Sequence, residues 1–142
     1  MGVLEGDAPV SDNDWEKVTK GGDDAIKRWI ADQMLGKSCA VVLIGAETAG
    51  RKWINHEIIK AWDDKKGVLG IYIHNLLNAD ERKSTKGGNP FDHITIGTNG
   101  PKLSTVVKAY DAPYSDSKDV YAYIKKNLSG WVEAAIKIRE NT

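Results

Sequence analysis

Trp53 and Glu57 are the two residues whose types and spacing could do chemistry together. They are four positions apart in a segment with helical periodicity, so the indole ring and the carboxylate should lie side by side on one face of a helix. A partly buried carboxylate beside a ring can have a raised pKa or can stabilise positive charge. On residue type alone, however, a helical glutamate is more often a solvated surface group, and a helical tryptophan more often belongs to the core.

The elements that would position this pair are predicted by the segment around it. Cys39–Ile44 is an apolar run without alternation, which is typical of a strand covered on both faces. After a turn, the apolar spacing becomes helical from Lys52 onward. The core stripe of this helix consists of Ile54, Ile58, Ala61 and Trp62.

The turn after this strand and the loop after Ile73 are the predicted places of a site. In open α/β sheets, ligands bind outside the carboxyl ends of the strands. Gly45 and Thr48 lie in that turn, and they are therefore predicted to bind substrate.

The remaining pattern predicts an α/β fold in a single domain over residues 1–142. The other predicted elements are a strand stub at Val3-Leu4, a loop at Ala8–Asp14, a short helix or turn around Trp15 and Val18, a helix at Asp23–Leu35 closed by Gly36, a strand at Val68–Ile73, a long polar loop at His74–Gly100, an edge strand at Thr105–Tyr110, and helices at Ser117–Leu128 and Trp131–Arg139. Gly67 is predicted to end the helix that begins at Lys52. Two buried strands joined by this helix favour a parallel sheet.

Composition excludes several classes of function. Twenty Lys plus Arg balance twenty Asp plus Glu, so no general attraction to nucleic acid or to an anionic membrane is expected. The single cysteine, Cys39, lies in the apolar strand, which excludes an intramolecular disulfide and indicates a reducing compartment. Since there is neither a membrane-spanning run nor a signal-peptide pattern, a cytoplasmic location is predicted.

Neither the histidines nor the Lys86-Gly87-Gly88 stretch has the pattern of a ligand site. His56, His74 and His93 lack the spacing of metal ligands, so no metal site is predicted. Lys86-Gly87-Gly88 lacks the Walker pattern, so phosphate binding by that stretch is not expected.

Four blocks of the sequence carry a resemblance to a known family. They are residues 22–30, residues 41–58, residues 67–75 and the Asn89–Asp92 stretch of the long loop. In this order, and with the Trp-x-x-x-Glu-Ile pattern of residues 53–58 at their centre, they resemble the bacterial TIR-like domains of Thoeris anti-phage defence systems. The resemblance extends over most of the chain.

The resemblance implies a flavodoxin-like, three-layer αβα fold with a mainly parallel sheet, and an activity on NAD as substrate without a further cofactor. Such domains break the nicotinamide glycosidic bond, and Thoeris-type members cyclise the ADP-ribose part into a signal molecule. By resemblance, Glu57 is the catalytic carboxylate and Trp53 a neighbour of the ribose or nicotinamide. A carboxylate there would stabilise the oxocarbenium character that develops on the ribose.

The resemblance also implies self-association and an effector protein, encoded elsewhere, that the signal molecule switches on. The alternative function is a catalytically inactive TIR-like module that binds proteins or a nucleotide. Members of the family usually open with a strand and helix that precede the region matched here, and that strand lies centrally in their sheet. Because Val3-Leu4 matches the second strand, we expect the chain to be short at its N-terminus. Its sheet is then incomplete there, closes differently, or borrows a strand from another chain.

Overall fold

The computed structural model describes residues 3–5, 23–34, 36–76 and 85–142. In chain order the elements are β1 (Val3–Glu5), α1 (Asp23–Gln33), β2 (Cys39–Ile44), α2 (Lys52–Asp63), β3 (Gly67–Tyr72), short 3-10 helices at Pro90–His93 and Leu103–Thr105, β4 (Lys108–Tyr110) and α3 (Ser117–Glu140). The loop predicted at Ala8–Asp14 and the turn or helix predicted around Trp15 and Val18 lie outside these residues.

The described strands form one sheet in the order β1-β2-β3-β4. β2, β3 and β4 are parallel, whereas β1 pairs antiparallel with β2. Ile44 is opposite Tyr72, so β2 and β3 end level at the carboxyl edge of the sheet. The predicted α/β class and mainly parallel sheet are confirmed. The strand stub at Val3-Leu4 finds its neighbour in β2.

Helices cover both faces of this sheet. The side chains of β2 show this, since they alternate between two buried clusters on opposite faces. Cys39, Val41 and Leu43 pack with residues of α1 and α3. Ala40, Val42 and Ile44 pack with residues of α2. All six β2 residues are fully buried, which explains why the strand shows no polar alternation.

The C-terminal part of the chain is one continuous helix, so the predicted division at Ser129-Gly130 was wrong. Residues on both sides of this pair belong to the same buried stripe, among them Leu128 and Trp131. Burial of a continuous apolar face stabilises a helix more than one Ser-Gly step weakens it.

The predicted edge strand at Thr105–Tyr110 is shorter than expected. Only Lys108–Tyr110 pairs with β3, and Leu103–Thr105 is a 3-10 helix. Leu103 and Val107 are buried in the cluster on the α2 face. Their apolar character therefore reflects packing into the core beside the sheet rather than a place in a strand.

The long loop predicted at His74–Gly100 contains an ordered, buried turn. Asn89 caps the 3-10 helix at Pro90–His93, since its Oδ1 accepts a hydrogen bond of 2.9 Å from the Phe91 N–H. Phe91 is fully buried and packs against Gly70 of β3, where an added Cβ would lie 2.9 Å from the ring. Part of this loop thus belongs to the core.

Gly67 does not end α2, as the sequence predicted, but has a different role. The left-handed residue after α2 is Lys65, with φ of 63°, whereas Gly67 begins β3. A Cβ at Gly67 would lie 2.6 Å from the backbone of Ala135 in α3. Glycine at this position therefore permits the close approach of α3 to the sheet.

Replacement of this glycine should destabilise the fold. Gly67→Ala places a methyl group against backbone atoms that cannot rotate away, so we expect a loss of about 1–3 kcal/mol in the free energy of unfolding. Gly130→Ala is the matched control, because nothing lies within 4 Å of the added Cβ in the exposed middle of α3. There alanine should stabilise by about 0.5–1 kcal/mol. Urea unfolding measures both, and similar midpoints would contradict the packing described.

The thiol of Cys39 should be inert in the folded protein. Burial raises the pKa of Cys39 to about 12, so the reactive thiolate is scarce at pH 8. We expect labelling by a thiol reagent in native buffer to be far slower than in concentrated urea. Equal labelling rates in the two solvents would contradict the burial of β2.

Candidate functional site

The turn between β2 and α2 is held by the hydroxyl of Thr48. Its Oγ1 accepts a hydrogen bond of 2.8 Å from the Gly45 N–H and donates to the Leu43 carbonyl at 3.4 Å. The Thr48 N–H in turn donates to the Gly45 carbonyl at 3.4 Å. Thr48 is only 4% exposed, so the structure brings Gly45 and Thr48 together and engages the hydroxyl with the backbone.

Charged side chains support the exposed part of the same turn. The Arg51 guanidinium contacts the Glu47 carboxylate at 2.9 Å and donates to the Glu47 carbonyl at 2.7 Å. Arg51 is also the N-cap of α2, although its side chain does not cap the helix. The turn therefore fixes where α2 begins.

The predicted core stripe of α2 is confirmed, because Ile54, Ile58, Ala61 and Trp62 are all buried. Trp53 lies outside this stripe and is 51% exposed, so it is not the core residue that its type favours. Glu57, one turn later, is half-buried at the border of the stripe. An indole with this much free surface beside a carboxylate can stack on a ligand ring.

Trp53 and Glu57 lie on the border of α2 that is away from Trp62. α2 contacts β1, β2 and β3. Its Trp62 side lines a groove with Ile94 and Leu103, which come from the chain between β3 and β4. Glu57 is about 140° round the helix from Trp62, and hence on the other border.

A segment from the long loop lies against the turn after β2. A Cβ at Gly87 would overlap the Gly45 carbonyl oxygen and lie 3.2 Å from the Ala46 Cα. The neighbouring Gly88 faces Ala49, with ordinary contact for an added Cβ at 3.6 Å. The backbone at Gly87 thus packs directly on the turn, which only glycine permits.

Four polar residues gather at the carboxyl ends of β3 and β4, beside the loop after Ile73 that is a predicted place of a site, although none of the four is among the predicted site residues. Lys86 Nζ is 2.8 Å from Asp111 Oδ2 and 4.7 Å from the centre of the Tyr72 ring. His74 Nε2 lies 4.0 Å from Asp111 Oδ1. Tyr72 and His74 lie at the end of a predicted strand, which is the sequence signal that could have identified them.

A groove with a volume of about 210 Å³ lies at the other end of α2. Its lining includes Ile59, Trp62 and Arg139, whose guanidinium lies 4.4 Å from the centre of the Trp62 ring. None of Gly45, Thr48, Trp53 and Glu57 lines this groove. The predicted site residues, in the turn after β2 and the first half of α2, are therefore separate from this groove.

The described residues contain neither a metal-binding cluster nor a membrane-spanning helix. No group of three His, Cys, Asp or Glu residues in these ranges could hold a metal ion. Within the same part of the chain, no helix combines the length and apolarity needed to cross a bilayer.

Comparison with known proteins identifies relatives of the chain. The family model for the TIR-like domain of Thoeris protein ThsB matches residues 4–78, just over half of the sequence and including Gly45, Thr48, Trp53 and Glu57. A protein of Bacillus cereus (strain MSX-D12), named "Putative cyclic ADP-D-ribose synthase ThsB1", is 35% identical over 80 residues. That alignment covers 56% of this chain and 42% of the relative, so the chain matches less than half of the relative's length.

The Thr48 hydroxyl should be essential to the turn. Thr48→Val keeps the shape of the side chain but leaves the buried Gly45 N–H without its acceptor, which should cost about 1–3 kcal/mol in the free energy of unfolding. Thr48→Ser retains the hydroxyl and is the matched control. Thermal unfolding of the two variants measures the difference, and equal stability would show that these hydrogen bonds do not hold the turn.

Proposed function

Because the chain belongs to the family of TIR-like domains of Thoeris protein ThsB, we propose that it acts on NAD, breaking the nicotinamide–ribose bond and cyclising the ADP-ribose part. The observation that carries the proposal is the position of Glu57. This carboxylate is half-buried, one helical turn from the half-exposed Trp53, in the first half of the helix that begins after the carboxyl end of β2. Ligands of open α/β sheets bind at that end.

Glu57 is proposed as the catalytic carboxylate. As the glycosidic bond breaks, its electron pair leaves with the nicotinamide ring nitrogen, and positive charge develops on the ribose. A carboxylate beside the ribose stabilises that charge more strongly in the transition state than in the bound substrate, which lowers the barrier. Stacking of Trp53 on the nicotinamide or ribose would hold the bond beside Glu57.

The product depends on what attacks the ribose carbon. Water would give ADP-ribose with release of a proton, whereas a nitrogen of the substrate's own adenine would give a cyclic product. We propose cyclisation, and the name of the Bacillus relative supports this choice. Exclusion of water from the ribose would favour it, because water is the competing nucleophile.

Gly45 and Thr48 are proposed to contact the substrate through the backbone of their turn. The Thr48 hydroxyl is already engaged with the Gly45 N–H, so direct hydrogen bonding by its side chain is not part of the proposal. The turn also sets the start of α2 and hence the position of Trp53 and Glu57. Its contribution to catalysis is therefore mainly one of orientation.

The partners of this activity are proposals as well. A cyclic product would act as a signal for an effector protein encoded elsewhere, and the chain would self-associate. A catalytically inactive module that binds proteins or a nucleotide is the second candidate function. The half-exposed Trp53 favours a binding module as much as it favours catalysis, because exposed aromatic side chains are frequent in binding surfaces.

Loss of the carboxylate should abolish NAD cleavage without unfolding the protein. Glu57→Gln removes the charge and keeps the shape, so nicotinamide release should fall by at least about 100-fold. Glu140→Gln, at an exposed glutamate at the end of α3, is the matched control and should release nicotinamide at the wild-type rate. Chromatography of nicotinamide and of the nucleotide product measures both rate and cyclisation.

Two results of this experiment would count against the proposal. Equal release by Glu57→Gln and wild type would exclude Glu57 as the catalytic carboxylate. No release by the folded wild-type chain at high concentration would favour the binding module.

A further inference from the structure

Lys86 and Asp111 form a contact, here called the clasp, that ties the long loop to the sheet. Lys86 donates to Asp111 at 2.8 Å, and its ammonium lies over the Tyr72 ring. Tyr72 is the last residue of β3, and Asp111 directly follows β4. The clasp therefore anchors the chain around Lys86 to the carboxyl ends of two neighbouring strands.

Gly87, the residue after Lys86, contacts the turn after β2. The Gly87 backbone packs on the Gly45 carbonyl and near the Ala46 Cα, without side-chain atoms between them. Residues 85–89, here called the covering segment, thus contact the turn at Gly87 and Gly88. Because protein packing is dense, a shift of the covering segment frees the turn to move.

We propose that the Lys86–Asp111 clasp is a positioning device: it holds the covering segment against the turn after β2, and through that turn it fixes the start of α2 and the orientation of Trp53 and Glu57. Lys86 and Asp111 are positioning residues in this account, since they act through the turn. The effect of the clasp on the order of the covering segment and the turn is inferred from the contacts alone, whereas its effect on catalysis rests on the proposed function.

The charges around the clasp are consistent with this role. The hydrogen bond to Asp111 raises the pKa of Lys86, so the ammonium stays charged at neutral pH. His74 Nε2, on the other side of Asp111, is at 4.0 Å and gives the carboxylate a second neighbour. Tyr72 contributes a cation–π contact with the ammonium.

An exposed ion pair contributes little to global stability, so the effect of the clasp should be local. Loop segments open independently of the core, with small opening free energies. Removal of one ion pair and one cation–π contact should therefore change the opening of the covering segment and the turn, with little change in the unfolding midpoint of the whole protein.

Amide hydrogen exchange on the full chain tests the proposal. Lys86→Met and Asp111→Asn should each accelerate exchange of the hydrogen-bonded amides of Gly45, Thr48 and Asn55, in the turn and at the start of α2, by about threefold or more. Lys86→Arg keeps both the ion pair and the ring contact and should exchange at close to the wild-type rate. Lys118→Met removes an exposed lysine at the start of α3 and is the matched control.

A pair of glycine variants tests the contact between the covering segment and the turn. Gly87→Ala forces the segment away from the Gly45 carbonyl, so it should accelerate exchange in the same regions as Lys86→Met. Gly88→Ala adds a methyl group where the space allows ordinary contact, and it should leave exchange unchanged.

Each outcome decides the proposal. Unchanged exchange in both Lys86→Met and Asp111→Asn would overturn the clasp. Faster exchange at Gly45 and Thr48 with unchanged exchange at Asn55 would show that the turn does not carry the effect to α2, and it would overturn the positioning role.

Activity supplies an independent readout. With an active wild type, Lys86→Met and Asp111→Asn should slow nicotinamide release to a similar extent, and the double variant should be no slower than either single variant. Unchanged release despite faster exchange would refute the link to Glu57. A wild type without nicotinamide release would contradict the proposed function and leave the exchange result to decide the clasp.

Discussion

The complete burial of β2 between two layers is the constraint on which the rest of this structure depends. Every residue of Cys39–Ile44 is inaccessible to solvent, with alternate side chains packed against helices on opposite faces of the sheet. Such a strand requires cover on both sides, and α2 and α3 supply much of it. The crossover from β2 through α2 to β3 then places the start of α2 at the carboxyl edge of the sheet.

The candidate site follows from this arrangement. One face of α2 covers the sheet, and this fixes which residues lie at the border of that face. Glu57 is one of these border residues. Trp53 precedes it by one turn on the same border and remains half-exposed. The Thr48 hydroxyl holds the turn that joins strand and helix, and Gly87 packs on that turn from outside. The helix that carries this carboxylate and aromatic ring thus begins at the edge where ligands of this fold class bind.

Local patterns predicted the parts of this structure that local forces determine. The unbroken apolar run of β2 and the stripe of α2 have the correct boundaries, because burial imposes its period directly on the sequence. The division of α3 was mispredicted, since the packing that bridges Ser129-Gly130 involves distant strands. Contacts such as Lys86 with Asp111, or Gly87 with Gly45, join residues far apart in the chain, and no local period reports them.

The central claim is that a nucleotide binds with its nicotinamide ribose beside Glu57. The most direct test is a structure of the chain with a carbocyclic NAD analogue whose nicotinamide bond cannot be cleaved. The account predicts that the carbocyclic ring lies within hydrogen-bonding reach of the Glu57 carboxylate, with Trp53 in contact with the nicotinamide or that ring. An analogue bound instead in the groove of Ile59, Trp62 and Arg139, remote from Glu57, would contradict it.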